Sequence, residues 1–196
     1  MELYVIRHGE SEANRGRYLG GMADVELTDQ GREDAAMAGR MLRGIHFDRV
    51  YSSDLIRAVH TCNIALPDVT PEQLYDLREI DVGELMYCPT AEGEKRHGEL
   101  FLRARKNRNY ALFGGESHQM QCERVARFMQ MLVDTCHEED RIAAFCHGGT
   151  LISMLEVALG ADTSSGAAIA FNGGVTKFRY KNGRWELIYW NRTESV

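Results

Sequence analysis

No apolar run in these 196 residues approaches the ~20 that a bilayer-spanning helix needs, so nothing in the chain reads as a membrane span. An excess of basic residues is missing too. Lys and Arg number 23 against 29 Asp and Glu, a net charge of −6, which argues against broad binding to nucleic acid or to an anionic membrane surface. Positive charge that serves an anionic ligand must therefore be local. Cys62, Cys88, Cys122, Cys136 and Cys146 are odd in number and contain no Cys-x-x-Cys pair. Neither a disulfide framework nor a cysteine zinc site fits them, and reduced thiols in a cytosol do. A secretion signal is not expected, because a strand already begins by residue 3. Repeats, low-complexity stretches and linkers are also lacking, and a single domain over 1–196 is expected.

What is present alternates between strand and helix patterns. Leu3-Tyr4-Val5-Ile6 reads as a short buried strand, and Arg141 to Cys146 as another. Residues 9–27 are polar and glycine-rich and read as one long loop. Thr28 is placed to cap a helix over 29–43, with Ala35, Ala38, Leu42 and Ile45 at helical spacing. A second strand over 48–51 runs into Ser52-Ser53-Asp54, cap-type residues for a helix over 55–65. Leu74 to Ile80 reads as extended, 91–107 as a surface helix, and Ser117 as the cap of a long helix to about Cys136. In that helix Cys122, Val125, Met129, Leu132 and Cys136 follow steps of three and four, so both cysteines are expected in the core. The tail alternates on both sides of Asn182-Gly183, a hairpin signal. Together these predict an α/β fold: a three-layer α/β/α sandwich with a mostly parallel sheet and a C-terminal antiparallel hairpin.

One pattern occurs twice. LYVI ends in Arg7-His8-Gly9, and AAFC ends in His147-Gly148. Two histidines at the carboxyl ends of parallel strands can face one another across the top of a sheet. Arg57, early in the helix after the second strand, can reach the same crevice, as can Glu79 of YDLREI and Asn14 of the glycine-rich loop. Two arginines, an amide, helix N-termini and two imidazoles suit a tetrahedral dianion. Two His and one Glu are also a zinc ligand set, but Arg7 and Arg57 would repel the metal. Singly, each histidine reads better as a satisfied loop or core residue, and only the matching pair favours a site.

The ordered set RHGESEAN, SSDLIRAVHT, LREIDVGE, GGES and CHGG resembles the histidine phosphatase superfamily, the phosphoglycerate mutase-like proteins, over roughly residues 1–160. The resemblance implies that His8 is the nucleophile that becomes a phosphohistidine. It implies that Arg7, Arg57, His147, Asn14 and Gly148 hold the phosphoryl group, and that Glu79 protonates the leaving oxygen. Asp81 and Glu84 compete with Glu79 for that part. It further implies a lid over 85–116 that chooses the substrate, and no metal or other cofactor. The chain departs from the family after Gly83-Glu84, where Leu85-Met86-Tyr87-Cys88-Pro89 stands in place of an aromatic residue and a Glu-Gly pair. The expected activity is that of a cytoplasmic phosphomonoesterase acting on a small phosphate ester. The alternatives are a phosphoglycerate-type mutase and a phosphate-binding module without turnover. His118, after GGES, is a candidate substrate contact, and the basic run 95–108 is either a solvated face or part of the lid. The terminal hairpin, with Trp185, Tyr189 and Trp190, either closes the sheet or pairs two subunits as a homodimer.

Overall fold

A computed structural model describes residues 1–160 and 168–194. Its centre is a pair of strands with buried apolar interiors. β1 (Glu2–Arg7) buries Leu3 to Ile6, and β4 (Arg141–Cys146) buries Ile142 to Cys146. Strands buried on both faces carry continuous apolar runs because helices cover both sides, and the two pair in parallel, Glu2 opposite Arg141 and Arg7 opposite Cys146. β2 (Arg49–Ser52) runs parallel to β4, and the two-residue β3 (Glu72–Gln73) runs parallel to β2. On the other side β5 (Val175–Lys181) pairs antiparallel with β1, and β6 (Arg184–Arg192) with β5, giving the order β3-β2-β4-β1-β5-β6. The β5–β6 turn holds Asn182 at φ 53° and Gly183 at φ 75°, the left-handed pair that an Asn-Gly hairpin turn requires.

Alternate residues of β1 feed two cores, as the two-residue period demands. Tyr4 and Ile6 pack with Ala38 and Leu42 of α2 (Asp29–Met41) and its C-terminus, and with Cys62 and Ala65 of α3 (Ile56–Ala65). Leu3 and Val5 pack with Val125, Phe128, Met129 and Leu132 of α5 (His118–Thr135), and with Leu151 and Met154 of α6 (Gly148–Leu159). Thr28 and Ser117 are the N-caps expected of them, accepting from Gly31 N at 3.0 Å and Met120 N at 3.2 Å. The three layers and the closing hairpin are therefore as the sequence predicts.

Several local expectations need correction. The stretch read as one loop contains α1 (Glu12–Gly16), capped by Ser11 and Asn14 in a reciprocal box. Asn14 fills the place that Glu or Gln usually takes in that motif. Leu74 to Ile80 is not extended. After β3 it forms a 3₁₀ turn over Tyr75–Leu77, because its carbonyls are bonded from the side rather than by a strand. Arg124 Nη1 donates to Asp76 O and Arg78 O, and Thr150 Oγ1 to Arg78 O at 2.7 Å. The cap residues before α3 act differently as well. Leu55 is its N-cap, Asp24 accepts from Ile56 N at 3.0 Å, and Asp54 pairs with Arg78.

The helix expected over 91–107 is α4 (Thr90–Lys106), broken at Gly98 (φ 51°, ψ −129°). Its two halves fold together over Gly93, where an added Cβ would lie 2.3 Å from the Phe101 ring. Phe101 and Ala104 then join Ile80, Val82, Leu85, Tyr110 and Phe113 in a small separate core. Cys136 packs against the main core, but Cys122 faces a polar cluster instead. All five thiols are free. No helix among the described residues is long and apolar enough to cross a membrane.

Candidate active site

Because Arg7 lies opposite Cys146 in register, the next residue of each strand is a histidine, and the two meet. The His8 and His147 rings have centroids 5.1 Å apart and are inclined by 59°. His8 N donates to Cys146 O at 2.9 Å, which continues the ladder one residue past the strand ends. His8 Nδ1 lies 2.6 Å from the carbonyl of Gly9. A carbonyl only accepts, so Nδ1 carries the proton and Nε2 keeps its lone pair. The loop that presents the carbonyl is itself held. Gly9 N donates to Thr61 Oγ1 at 3.1 Å, and Thr61 Oγ1 donates to Arg57 O at 2.7 Å. Asn172 Nδ2 donates to His8 O at 2.9 Å and to Asn14 Oδ1 at 3.2 Å. Asn14 Oδ1 also accepts from Ser11 N and Oγ, an orientation that leaves its Nδ2 as the donor for a ligand.

The arginines come from different elements, Arg7 from the end of β1 and Arg57 from the first turn of α3. Arg57 is only 3% exposed, and its guanidinium spans the carbonyls of Ala23 (2.7 Å) and Gly21 (2.8 Å). Arg7 Nη1 donates to Ala170 O. Among the described residues, Arg7 Nε and His147 Nδ1 are buried polar atoms without a hydrogen-bond partner. His147 Nε2 meets Ser53 Oγ at 2.9 Å. Buried donors are almost always satisfied, so an orphaned guanidinium nitrogen beside an orphaned imidazole nitrogen marks a place for oxygens of a ligand. Gly148 opens α6 against Arg7, where an added Cβ would lie 3.3 Å from Nε.

Charge supports this. Burial, then Arg57 and Arg7, hold His8 well below the ordinary histidine range, and burial followed by Arg57 does the same to His147. Both imidazoles are neutral at neutral pH. Burial pulls Arg57 down to about 10 against the attraction of Glu79, and lowers Arg7 as well, yet both remain cations. Two buried positive charges facing one carboxylate form a pocket for an anion, whatever the net charge of the chain.

Glu79 is that carboxylate. Its Oε1 accepts from Ile80 N at 2.9 Å and Gln121 Nε2 at 3.2 Å, and its Oε2 from Gly149 N at 3.0 Å at the start of α6. Of its two competitors, Asp81 accepts from Gly83 N within its own turn at 2.9 Å, and Glu84 is exposed. All seven candidate residues thus converge on one place. Thr61, Ser53, Asn172 and Gln121 belong to the same place and were not among the candidates. Thr61 stood four residues after Arg57, one helical turn, inside a motif already singled out. Ser53 lies in the same motif, four residues before Arg57, and nothing in the spacing of Asn172 and Gln121 marked them.

The remaining candidates divide. Residues 95–106 of the basic run are a solvated face apart from Phe101 and Ala104. Arg108, held at φ 47°, turns inward and donates to Gly149 O at 3.3 Å and Glu156 Oε1 at 2.6 Å. His118 reaches Glu156 rather than the imidazole pair. His118, Cys122 and Glu156 bring ligand-type atoms within 4.8 Å of one another, a set able to hold a metal ion, although the Arg108 guanidinium already supplies positive charge to that carboxylate. His60 pairs with Glu26 at 3.0 Å on the surface of α3.

Comparison with known proteins agrees with this architecture. The model of the histidine phosphatase superfamily (branch 1) matches residues 3–193. The chain is 33% identical over 162 residues to a 2,3-bisphosphoglycerate-dependent phosphoglycerate mutase of Cytophaga hutchinsonii, covering 78% of this chain and 75% of that one. It is 32% identical over 196 residues to phosphoglycerate mutase-like protein 4 of Arabidopsis thaliana, covering 96% and 84%. Among solved structures, a mycobacterial glucosyl-3-phosphoglycerate phosphatase in complex with VO3 superposes with a TM-score of 0.88 at 25% identity, covering 97% of this chain and 98% of that one. The alpha-ribazole phosphatase of Shigella flexneri superposes with a TM-score of 0.86 at 25% identity, covering 98% and 96%. A match that runs from the first strand to the last is what common descent leaves, and this chain belongs to the histidine phosphatase superfamily.

Proposed function

We propose that the protein is a metal-independent phosphomonoesterase that passes the phosphoryl group of a small phosphorylated metabolite through His8. The observation that carries this is the His8 tautomer. Its Nδ1 proton is committed to Gly9 O, so a neutral Nε2 lone pair is left in the field of the buried Arg57 and of Arg7, whose Nε is buried. In the first half-reaction Nε2 attacks phosphorus as the P–O bond breaks. Charge spreads over the equatorial oxygens, and Arg7, Arg57, His147, Asn14 and the Gly148 end of α6 meet it. Glu79 gives its proton to the leaving oxygen. In the second half-reaction the Glu79 carboxylate takes a proton from water as water displaces His8. Arginines thus supply the positive charge that a metal would otherwise bring.

Hydrolysis of an aryl phosphate in excess chelator tests the reading. Turnover should persist in the native protein and vanish in His8→Ala, and Glu79→Gln should lose ~10²–10⁴ in rate on an ester with a poor leaving group. Turnover abolished by chelator would overturn it. A mutase is the second reading, favoured by the names of the relatives from Cytophaga and Arabidopsis. A mutase must shelter its phosphohistidine from water, so a phosphoenzyme that survives for minutes without an acceptor would favour that reading over the hydrolase. The segment 85–116 that we assign as the lid buries a core of its own. It exposes Leu100, Leu102 and Leu112, and these are the surfaces we would vary first in a substrate panel of sugar phosphates, phosphoglycerates and nucleotide-derived monoesters.

A further inference from the structure

Gln121 lies on α5, one helical turn before Val125, and is fully buried. A buried amide is costly unless both of its ends are bonded, and here both are. Its Nε2 donates to Glu79 Oε1 at 3.2 Å, and its Oε1 accepts from Ser153 Oγ of α6 at 3.2 Å. The Glu79 oxygen accepts and so takes the amide nitrogen, and the hydroxyl of Ser153, also fully buried, donates to the amide oxygen on the α6 side and helps to hold that orientation. Glu79 Oε1 receives a second donor from Ile80 N, so both of its lone-pair directions are taken. Oε2 accepts only from Gly149 N among the described residues, at the helix start where Gly148 lies against Arg7.

We infer that Gln121 is a positioning residue for proton transfer: by saturating Oε1 it leaves Oε2 as the oxygen on which Glu79 carries its mobile proton. This rests on the reading of Glu79 as acid and base. The proton on Oε2 passes to the leaving oxygen as P–O breaks and P–Nε2 forms. It is replaced from water as the new O–P bond forms and P–Nε2 breaks. Among the described residues, the other ionisable groups coupled electrostatically to this carboxylate are Arg7 at the end of β1, Arg57 on α3, Cys146 at the end of β4 and Tyr110 after α4. Arg124 of α5 bonds the Glu79 backbone carbonyl, and its charge is matched by Glu116.

The test compares Gln121→Met, Ser153→Ala, Glu79→Gln and the double variant Glu79→Gln/Gln121→Met, each on an aryl and an alkyl phosphate at one pH. Proton transfer to the leaving oxygen matters most for the poor leaving group. Gln121→Met should slow the alkyl ester about twofold, because a proton free to sit on either oxygen is on Oε2 about half of the time, and the aryl ester far less. Ser153→Ala should lower the alkyl-to-aryl rate ratio in the same direction and by less. In the Glu79→Gln background Gln121→Met should change nothing further. A wild-type leaving-group dependence in Gln121→Met, or an equal slowing with and without Glu79, would overturn the inference. Should Gln121→Met not fold, Ser153→Ala decides, and an unchanged alkyl-to-aryl ratio overturns it. Full activity of Glu79→Gln on both esters would instead bring down the assignment of Glu79 itself.

Discussion

At the scale of single residues, the two imidazoles carry the clearest consequences. His8 and His147 are buried and held neutral, with their affinity for protons pushed well below the ordinary histidine value of 6.5. In the unfolded chain both would protonate near that value. Below it the unfolded state binds more protons than the folded one, so stability is fully present above about pH 6.5 and is lost as pH falls. Each imidazole contributes a slope of up to ~1.4 kcal/mol per pH unit below that point. A melting temperature that drops between pH 6.5 and 5 in the native protein, and drops less in His147→Asn, is the expected result. A second residue-scale prediction concerns Arg57. Its two terminal nitrogens hold the carbonyls of Ala23 and Gly21 from a planar fork, a geometry that the single-point ammonium of lysine does not reproduce. Arg57→Lys should therefore lose ~10²–10³ in turnover of an aryl phosphate, the range seen for loss of one oxyanion donor, although the charge is kept. Arg7, His8, His147 and Gly148 were legible before the structure because they sit in a repeated strand-His-Gly pattern, and Arg57 because it follows a strand. Asn172 was not. It reaches His8 across 164 residues of sequence, and no local spacing encodes so distant a contact.

At the scale of elements, close backbone approach does much of the positioning. α2 rests on the loop after His8 through Gly31, where a Cβ would come within 1.9 Å of Glu10 O, and Gly9 faces Gly31 O at 2.0 Å in the same sense. These neighbours are backbone atoms that cannot turn aside. Gly31→Ala should therefore shift the loop, destabilise the fold by about 1–3 kcal/mol as overpacking does, and reduce phosphatase turnover by displacing the Gly9 carbonyl. Thermal unfolding and turnover measured on the same sample check both effects. Long, strongly periodic elements such as α2, α5 and β1 were readable because their apolar spacing is their reason for existing. The 3₁₀ turn at Tyr75–Leu77 and the break at Gly98 were not. Arg124 on a distant helix imposes the first, and the close packing of Phe101 on Gly93 accompanies the second.

At the scale of the molecule, the C-terminal hairpin is part of the sheet rather than an appendage. β5 pairs with β1 from Glu2 to Ile6, and Gly173 and Gly174 bond the backbone of Arg7 and His8. A chain ending at residue 174 would leave β1 as an open edge, its apolar residues deprived of Val175 and Phe178. Such a chain should show no cooperative unfolding transition and no turnover.

The sequence by itself determined the layers, the parallel centre, the hairpin and the residue types at the site, because hydrophobic period and turn chemistry act over neighbours in the chain. It also determined that positive charge would be local in an acidic protein. Tertiary structure alone decided which carboxylate faces the arginines, which imidazole nitrogen keeps its lone pair, and that Cys122 meets Glu156 rather than the core. Each of these depends on donors and acceptors brought together by packing from separate elements, and such contacts leave no periodic trace along the chain.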